Sequence, residues 1–278
     1  MSQLNGPFSG GPTLKDGVTM PWLGLGVWQT KDGDEVIHAV KAAVETGYRS
    51  IDTAAGYNNE EGVGQAIREC GVSREELFIT TKLRNPDQGY ESTLKAFEVS
   101  RRKLGLEIID LYLIHWPVAG KYQETWKALI HLQKEGHIKS IGVSNFQVHH
   151  LKDIIEDTGV VPVVNQVEFH PLLTQRELLK YAREQGIQIE AWSPLMQGHL
   201  DLPLLKELAE KYGRTPAQIV LRWDLQQGVI TIPKSVHAER IKENAGFFDF
   251  TLSDEDVKAI EDLNEDHRFG PDPDNFNF

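Results

Sequence analysis

The feature of this sequence that most restricts its fold is a repeated alternation of short apolar or β-branched runs with longer amphipathic helical patterns. The alternation occurs eight times, with no linker-like stretch between units. It predicts a parallel sheet, because consecutive parallel strands need a long crossover connection, usually a helix. The predicted strands are Leu23–Gly26, Arg49–Asp52, Leu77–Thr81, Ile109–Ile114, Ile138–Val143, Val163–Val167, Ile187–Ala191 and Val229–Ile232.

A helical pattern follows each predicted strand. Eight such units predict a closed (β/α)8 barrel, the TIM barrel, and the length of 278 residues is close to typical for that fold. The alternative is a doubly wound open sheet, which usually has fewer strands. The clearest helical patterns are Asp34–Thr46, Glu60–Cys70, Tyr90–Leu104, Tyr122–Glu135, Val148–Asp157, Gln175–Gln185 and His237–Ala245, with a further helical region after the seventh strand.

Three segments lie outside the repeat. Lys15–Gly17 predicts the turn of an N-terminal β-hairpin, which we expect to plug the barrel floor. An extra helix is predicted near Leu204–Lys211, before a helix that starts at Thr215, and a final helix near Asp254–Leu263. We expect residues 1–278 to form a single domain.

The composition is that of an acidic globular chain. The formal net charge of −12 opposes general nucleic-acid binding, which needs a basic footprint. The single cysteine, Cys70, cannot form an intramolecular disulfide, which suits a reducing compartment. No uncharged apolar run approaches the roughly 18 residues of a membrane span, and the N-terminus lacks a secretory signal pattern. We therefore expect a cytoplasmic protein with no nucleic-acid or membrane partner.

Ionisable side chains follow several neighbouring strands. In a parallel barrel the carboxyl ends of all strands lie on one face, where active sites form. Asp52 ends the second strand, Lys82 follows the third, His115 follows the fourth, and Tyr57 lies in the loop after Asp52. We expect these four side chains to form one site. The alternative is a set of unrelated polar strand ends and salt bridges.

These four residue types together can deliver a proton to an oxygen. The ordinary tyrosine pKa of about 10 is too high for an efficient donor at neutral pH. A Lys82 cation beside Tyr57 would lower that pKa, and Asp52 would keep Lys82 charged and oriented. His115 would donate a hydrogen bond to a substrate carbonyl oxygen. Such a site supplies no reducing electrons, so it requires a hydride cofactor.

The chain resembles the aldo-keto reductase family, and especially its short prokaryotic members, which include 2,5-diketo-D-gluconate reductases and glyoxal or methylglyoxal reductases. The resemblance spans about residues 13–274, and it implies that the four residues above are the catalytic tetrad. The segments that carry it are Gly47–Asp52 with Glu60 and Gly64, Asp110–Pro117, Ile138–Phe146, and Ile232–Ser235 continuing to Arg240, Glu243 and Asn244.

The family resemblance implies NADP(H) as the cofactor, in preference to NAD(H). No Gly-x-Gly-x-x-Gly fingerprint lies between a strand and a helix, so a Rossmann mode is not indicated. Lys234, Ser235 and Arg240 suit a 2′-phosphate at the start of the last βα unit, although a solvated basic turn is the alternative. The implied cofactor-binding residues are Gly26, Val27, Trp28, Asp52, Ser144, Asn145, Gln166, Trp192, Ser193, Leu195, Lys234, Ser235, Arg240, Glu243 and Asn244.

The expected substrate is a small carbonyl compound. Arg84 stands where the family often has a tryptophan, so we expect a more polar, or at least less aromatic, pocket rim. The tail Phe269–Phe278 is too short for loops that select bulky steroids, which favours small aldehydes, dicarbonyls and keto-sugars. The family's commonest form implies a monomer. The residues expected to line the substrate pocket are Trp28, Tyr57, Arg84, His115 and Trp116.

Two other kinds of function remain open at the level of sequence. The first is a non-catalytic NADP(H)-binding regulatory module on the same fold, because a fold alone does not define an activity. The second is an isomerase or aldolase, which would turn over without consuming NADPH. A metal site is not expected, because Glu168 with His170, and His149 with His150, lack the converging partners of a zinc site.

Overall fold

The computed structural model describes residues 10–278 and has one eight-stranded sheet whose strands follow chain order. Consecutive strands pair in parallel, and bridges between Leu23 and Thr231 and between Gly26 and Lys234 close the sheet into a barrel. The predicted (β/α)8 barrel is therefore confirmed. The strands are β1 Gly24–Gly26, β2 Ser50–Asp52, β3 Phe78–Leu83, β4 Ile109–Ile114, β5 Ile138–Ser144, β6 Val164–Glu168, β7 Gln188–Trp192 and β8 Ile230–Thr231.

The helices lie close to the predicted patterns, with boundaries that differ by a few residues at most. The two predicted helices outside the repeat are confirmed as α7 and α10. No helix in the described range is long and apolar enough to cross a bilayer. The helices are α1 Asp34–Thr46, α2 Glu60–Glu69, α3 Tyr90–Leu104, α4 Tyr122–Lys134, α5 Val148–Thr158, α6 Arg176–Gln185, α7 Pro203–Tyr212, α8 Pro216–Gln226, α9 Ala238–Asn244 and α10 Asp254–Glu261.

The strands at the centre of the barrel wall are buried on both faces. Every residue of β3 and of β4 is buried, because one face packs on the helices and the other fills the barrel interior. β3 continues past its predicted end at Thr81, so Lys82 lies inside the strand and not beyond it. A lysine in a fully buried strand needs a buried partner of opposite charge. Asp52, at the carboxyl end of the neighbouring strand β2, can provide it.

The N-terminal hairpin closes the barrel floor as predicted. Thr13 and Thr19 form an antiparallel bridge, and the Leu14 N–H donates to the Val18 carbonyl at 2.8 Å. Leu14 and Met20 are buried against apolar strand residues that point into the lower barrel. The hairpin therefore seals the floor and leaves the opposite face, at the carboxyl ends of the strands, open.

Two glycines set how closely α2 approaches its neighbours. A Cβ atom at Gly64 would lie 2.4 Å from the carbonyl oxygen of Leu104 at the end of α3, and one at Gly62 would lie 2.4 Å from Cγ1 of Val36 in α1. The backbone of Leu104 cannot rotate away as a side chain would. Glycine at position 64 is thus required for the packing of α2 on α3.

We expect Gly64→Ala to lower the free energy of unfolding by about 1–3 kcal/mol, since the added methyl group overpacks a backbone contact. Gln65→Ala is the matched control on the exposed face of the same helix and should stay within about 0.5 kcal/mol of the parent. Urea unfolding of the two variants would measure the difference. Equal stabilities would show that α2 and α3 can separate at little cost.

Candidate active site

A cavity of about 550 Å³ opens at the carboxyl ends of the strands. It is the place where the structure brings together side chains from all parts of the barrel. Lys82 lies just below it, in contact with Asp52 and Tyr57. The sequence-predicted residues that line the cavity are Gly26, Trp28, Asp52, Tyr57, Arg84, His115, Trp116, Ser144, Asn145, Gln166, Trp192, Ser193 and Lys234.

A buried ion pair lies at the centre of the site. Lys82 Nζ donates to Asp52 Oδ1 at 2.5 Å, to the Thr53 carbonyl at 3.0 Å and to the Tyr57 hydroxyl at 3.3 Å. The side chains of Lys82 and Asp52 are 0% and 2% exposed. Three acceptors therefore satisfy the three ammonium hydrogens, and the Tyr57 hydroxyl lies within reach of a cation.

Burial decides the ionisation of Tyr57. It raises the pKa of the phenol above its ordinary value, and the Lys82 cation opposes that rise without cancelling it. The sequence-based expectation of a lowered pKa was wrong in its net direction, because residue types alone do not show how strongly the half-buried phenol is desolvated. Tyr57 is therefore a neutral proton carrier at neutral pH, with Lys82 placed to stabilise its anion.

His115 faces Tyr57 across the floor of the cavity. The two rings are 5.7 Å apart in an edge-on arrangement. Burial, together with the Lys82 cation, lowers the pKa of His115 to about 3. The imidazole is consequently neutral at physiological pH, so one ring nitrogen is a hydrogen-bond donor and the other an acceptor.

Glu190 is a buried acid that the sequence analysis did not identify. It lies on β7 at 0% exposure, directly beside Gln166 in the register of β6 and β7. Gln166 Nε2 donates both to Glu190 Oε2, at 2.8 Å, and to Asp52 Oδ2, at 2.7 Å. Glu190 therefore joins the Asp52–Lys82 pair through one amide. A charged residue in the middle of the apolar run Ile187–Ala191 was the available signal.

Asn145 links two sides of the cavity, at the carboxyl ends of β4 and β7. Its Nδ2 donates to the His115 carbonyl at 2.9 Å, and its Oδ1 accepts from Trp192 Nε1 at 2.8 Å. Its backbone is left-handed, with φ of 63°, a conformation that asparagine tolerates better than most residues. The orientation of the Trp192 ring is thus fixed by this hydrogen bond.

The chain's tail, residues 269–278, forms one side of the cavity. Its entry is anchored by the buried Glu168, whose Oε1 accepts from the Phe269 N–H at 2.7 Å. Further along, the Trp116 ring lies 5.2 Å from that of Phe276 and 5.3 Å from that of Phe278. These long-range contacts were not predicted, since nothing in the local sequence shows where the tail packs.

The rim of the cavity combines Arg84 with aromatic side chains, and the expectation of a rim more polar or less aromatic than is usual in the family stays a prediction. Arg84 does line the cavity, but its guanidinium is held by Asp87, with Nε donating to Oδ2 at 2.8 Å. Phe269 and Phe278 from the tail also line the cavity, beside Trp28 and Trp116. The tail thus supplies the aromatic surface that the position of Arg84 lacks.

The remaining predicted cofactor residues lie outside the cavity lining. Val27 is fully buried in the hydrophobic core, and Leu195 is partly buried and packs against that core. Ser235 Oγ accepts from the His237 N–H at 3.1 Å, which shapes the turn before α9. On α9, Arg240 and Glu243 are exposed and Asn244 is buried.

The adjacent histidines at the start of α5 contact the tail. His149 Nε2 lies 3.0 Å from Asp274 Oδ1, and His150 Nε2 lies 3.6 Å from the same oxygen. The three residues are near enough to share a metal ion. However, His150 Nδ1 accepts from the Gln147 N–H, so Nε2 carries the ring hydrogen of the neutral imidazole and is not free to bind a metal. The absence of a metal site stays a prediction.

Comparison with known proteins identifies the family. Residues 22–265 match the Aldo/keto reductase family. The chain belongs to this family. The sequence-based predictions of an aldo-keto reductase and an oxidoreductase are both confirmed.

Similar aldo-keto reductases include bacterial enzymes of nearly the same length. Glyoxal reductase of Bacillus subtilis is 60% identical over 266 residues, covering 95% of this chain and 96% of that protein. Methylglyoxal reductase DkgA of Escherichia coli is 54% identical over 268 residues, covering 95% and 96%. A crystal structure of a Gox0644 mutant in complex with NADPH superimposes with a TM-score of 0.92 at 50% identity, covering 96% of this chain and 98% of that one.

We expect the His115 imidazole to stay neutral down to pH 5, where an exposed histidine of ordinary pKa is mostly protonated. Two-bond ¹H–¹⁵N NMR spectra recorded from pH 8 to pH 5 would report its tautomer, with His115→Gln used to assign the signal. Imidazolium shifts at pH 6 would contradict the proposed burial of the ring.

Proposed function

We propose that this protein is an NADPH-dependent carbonyl reductase in which Tyr57 protonates the oxygen of a small aldehyde or dicarbonyl substrate. The observation that carries the proposal is the contact of the Tyr57 hydroxyl with the buried Lys82 cation, at 3.3 Å, on the floor of an open cavity. Glyoxal and methylglyoxal reductases among the relatives favour dicarbonyls as substrates.

The residues around the cavity suit a nicotinamide dinucleotide. Ser144, Asn145 and Gln166 offer amide and hydroxyl groups beside the Trp192 ring, whose aromatic face suits stacking on a flat ring. Lys234 lines the cavity on the side that leads to α9, where Arg240 is exposed. These two cations would hold a 2′-phosphate. The NADPH-bound relative supports the same choice of cofactor.

The reaction divides between the cofactor and this chain's residues. NADPH, when bound, supplies the hydride that reduces the carbonyl carbon. His115, as a neutral imidazole, donates a hydrogen bond that holds the carbonyl oxygen near Tyr57. Tyr57 then gives its hydroxyl proton to that oxygen as negative charge develops there, and Lys82 stabilises the tyrosinate that forms. Asp52 balances the charge of Lys82 throughout.

A non-catalytic NADP(H)-binding module is the alternative function, and it would bind NADPH without turning over a carbonyl substrate.

We further propose a cytoplasmic monomer with one domain over residues 1–278. One eight-stranded barrel sheet and a single cysteine, Cys70, support that proposal. Size-exclusion chromatography with light scattering at micromolar concentration should give a mass near 31.4 kDa.

We expect Tyr57→Phe to lower kcat for methylglyoxal by about 10²- to 10⁴-fold, because the variant lacks the proton donor but keeps the ring. NADPH absorbance at fixed substrate would measure turnover, and quenching of tryptophan fluorescence would measure NADPH binding. Binding should be unchanged within about threefold, since the hydroxyl is not among the proposed cofactor contacts. Turnover close to that of the parent would rule out Tyr57 as the acid.

We expect Arg240→Ala to raise the Kd for NADPH by about tenfold or more and to leave the Kd for NADH nearly unchanged, because only NADPH carries the 2′-phosphate. Arg68→Ala, an exposed arginine on α2, is the matched control for the loss of one positive charge. A parallel loss of affinity for both cofactors in Arg240→Ala would contradict the assignment of Arg240 to the phosphate.

A further inference from the structure

The amide of Gln166 lies between two buried carboxyl groups. Its nitrogen donates to Asp52 Oδ2 at 2.7 Å and to Glu190 Oε2 at 2.8 Å. Asp52 and Glu190 are 2% and 0% exposed. A side-chain amide nitrogen has two hydrogens, so these two acids take both of them.

This arrangement determines which way the amide faces. A flipped amide would place its oxygen against the Asp52 carboxylate, which can only accept hydrogen bonds while it is paired with Lys82. The nitrogen therefore points to the acids, and the oxygen is left as the free acceptor of a side chain that lines the cavity. An acceptor at that place suits a ligand that brings an N–H group.

We propose that Glu190 is a cofactor-positioning residue, which locks Gln166 so that its amide oxygen faces the cavity as an acceptor for the carboxamide N–H of a nicotinamide. The inference rests on the proposed function, because it assumes that the cavity holds NADPH. Glu190 itself does not line the cavity, so it acts only through Gln166.

Asp52 sets which way the amide faces, but it satisfies only one of the two amide hydrogens. Alone, it would leave the other hydrogen without a partner in a buried place, which is costly. Glu190 supplies the second acceptor from the adjacent strand, at the position paired with Gln166.

The charge of Glu190 fits this role. The ionisable groups that act on it or are affected by it are Asp52, Lys82 and Tyr57. Burial, and then the nearby Asp52 carboxylate, raises the pKa of Glu190 to about 8. A mostly neutral Glu190 at pH 7 can accept from Gln166 without adding a second negative charge next to Tyr57. Its other oxygen, Oε1, has no hydrogen-bond partner among residues 10–278.

The test is a double-mutant cycle measured by NADPH binding at pH 7, with tryptophan fluorescence as the readout. We expect Glu190→Leu to raise the Kd for NADPH about tenfold, and Glu190→Gln, which keeps an acceptor oxygen, to stay within about threefold of the parent. Gln166→Leu should resemble Glu190→Leu. The double variant should bind no more weakly than Gln166→Leu alone, since Glu190 acts through that amide.

The ligand 2′,5′-ADP, which lacks the nicotinamide, is the control for the rest of the site. Its Kd should be the same in the parent and in all four variants. Unchanged NADPH binding in Glu190→Leu would overturn the inference, and so would an equal loss of affinity for 2′,5′-ADP, which would show a general disturbance. If the parent binds NADPH but does not consume it with any carbonyl, the proposed function fails while the positioning role stands.

Discussion

The buried ion pair between Lys82 and Asp52 is the interaction on which the rest of the site depends. Removing two charges from water is costly, and the cost is recovered only when each charge has close partners. The barrel provides them, because neighbouring strands β2 and β3 place the two side chains 2.5 Å apart, and a backbone carbonyl and the Tyr57 hydroxyl complete the lysine's contacts. An unpaired Lys82 in this position would destabilise the protein strongly. The pair is therefore needed both for stability and for the proposed proton transfer from Tyr57.

Charge balance explains the other groups around this pair. His115 is neutral because burial and the Lys82 cation both oppose its protonation. Tyr57 stays protonated because burial outweighs the lysine. The result is one cation and one carboxylate below a neutral phenol and a neutral imidazole. In this arrangement Tyr57 can release its proton toward the cavity, because the Lys82 cation lies beside the tyrosinate that forms. The lining of the cavity above includes the aromatic rings of Trp28, Trp116, Trp192, Phe269 and Phe278.

Much of the fold, and the grouping of Asp52, Tyr57, Lys82 and His115 at one face, could be predicted because both depend on local patterns. Apolar runs followed by amphipathic runs indicate strands and helices, and polar residues at the ends of parallel strands indicate a shared face. What the sequence could not show depends on contacts between distant segments. Glu190 meets Gln166 only through the register of β6 and β7. The tail reaches Trp116 across about 160 positions, so its aromatic contribution to the rim could not be read from residue types.

The central claim is that this site moves a hydride from NADPH to a carbonyl carbon while the barrel's own residues supply the proton. The most direct measurement uses NADPH carrying deuterium at both positions of C4 with methylglyoxal, followed by mass spectrometry and NMR of the product. We expect an alcohol that contains one deuterium, bound to the carbon of the new C–OH group, formed in equal amount to the NADP⁺ released. An alcohol without deuterium, or a product formed with no NADPH consumed, would contradict the proposed reduction.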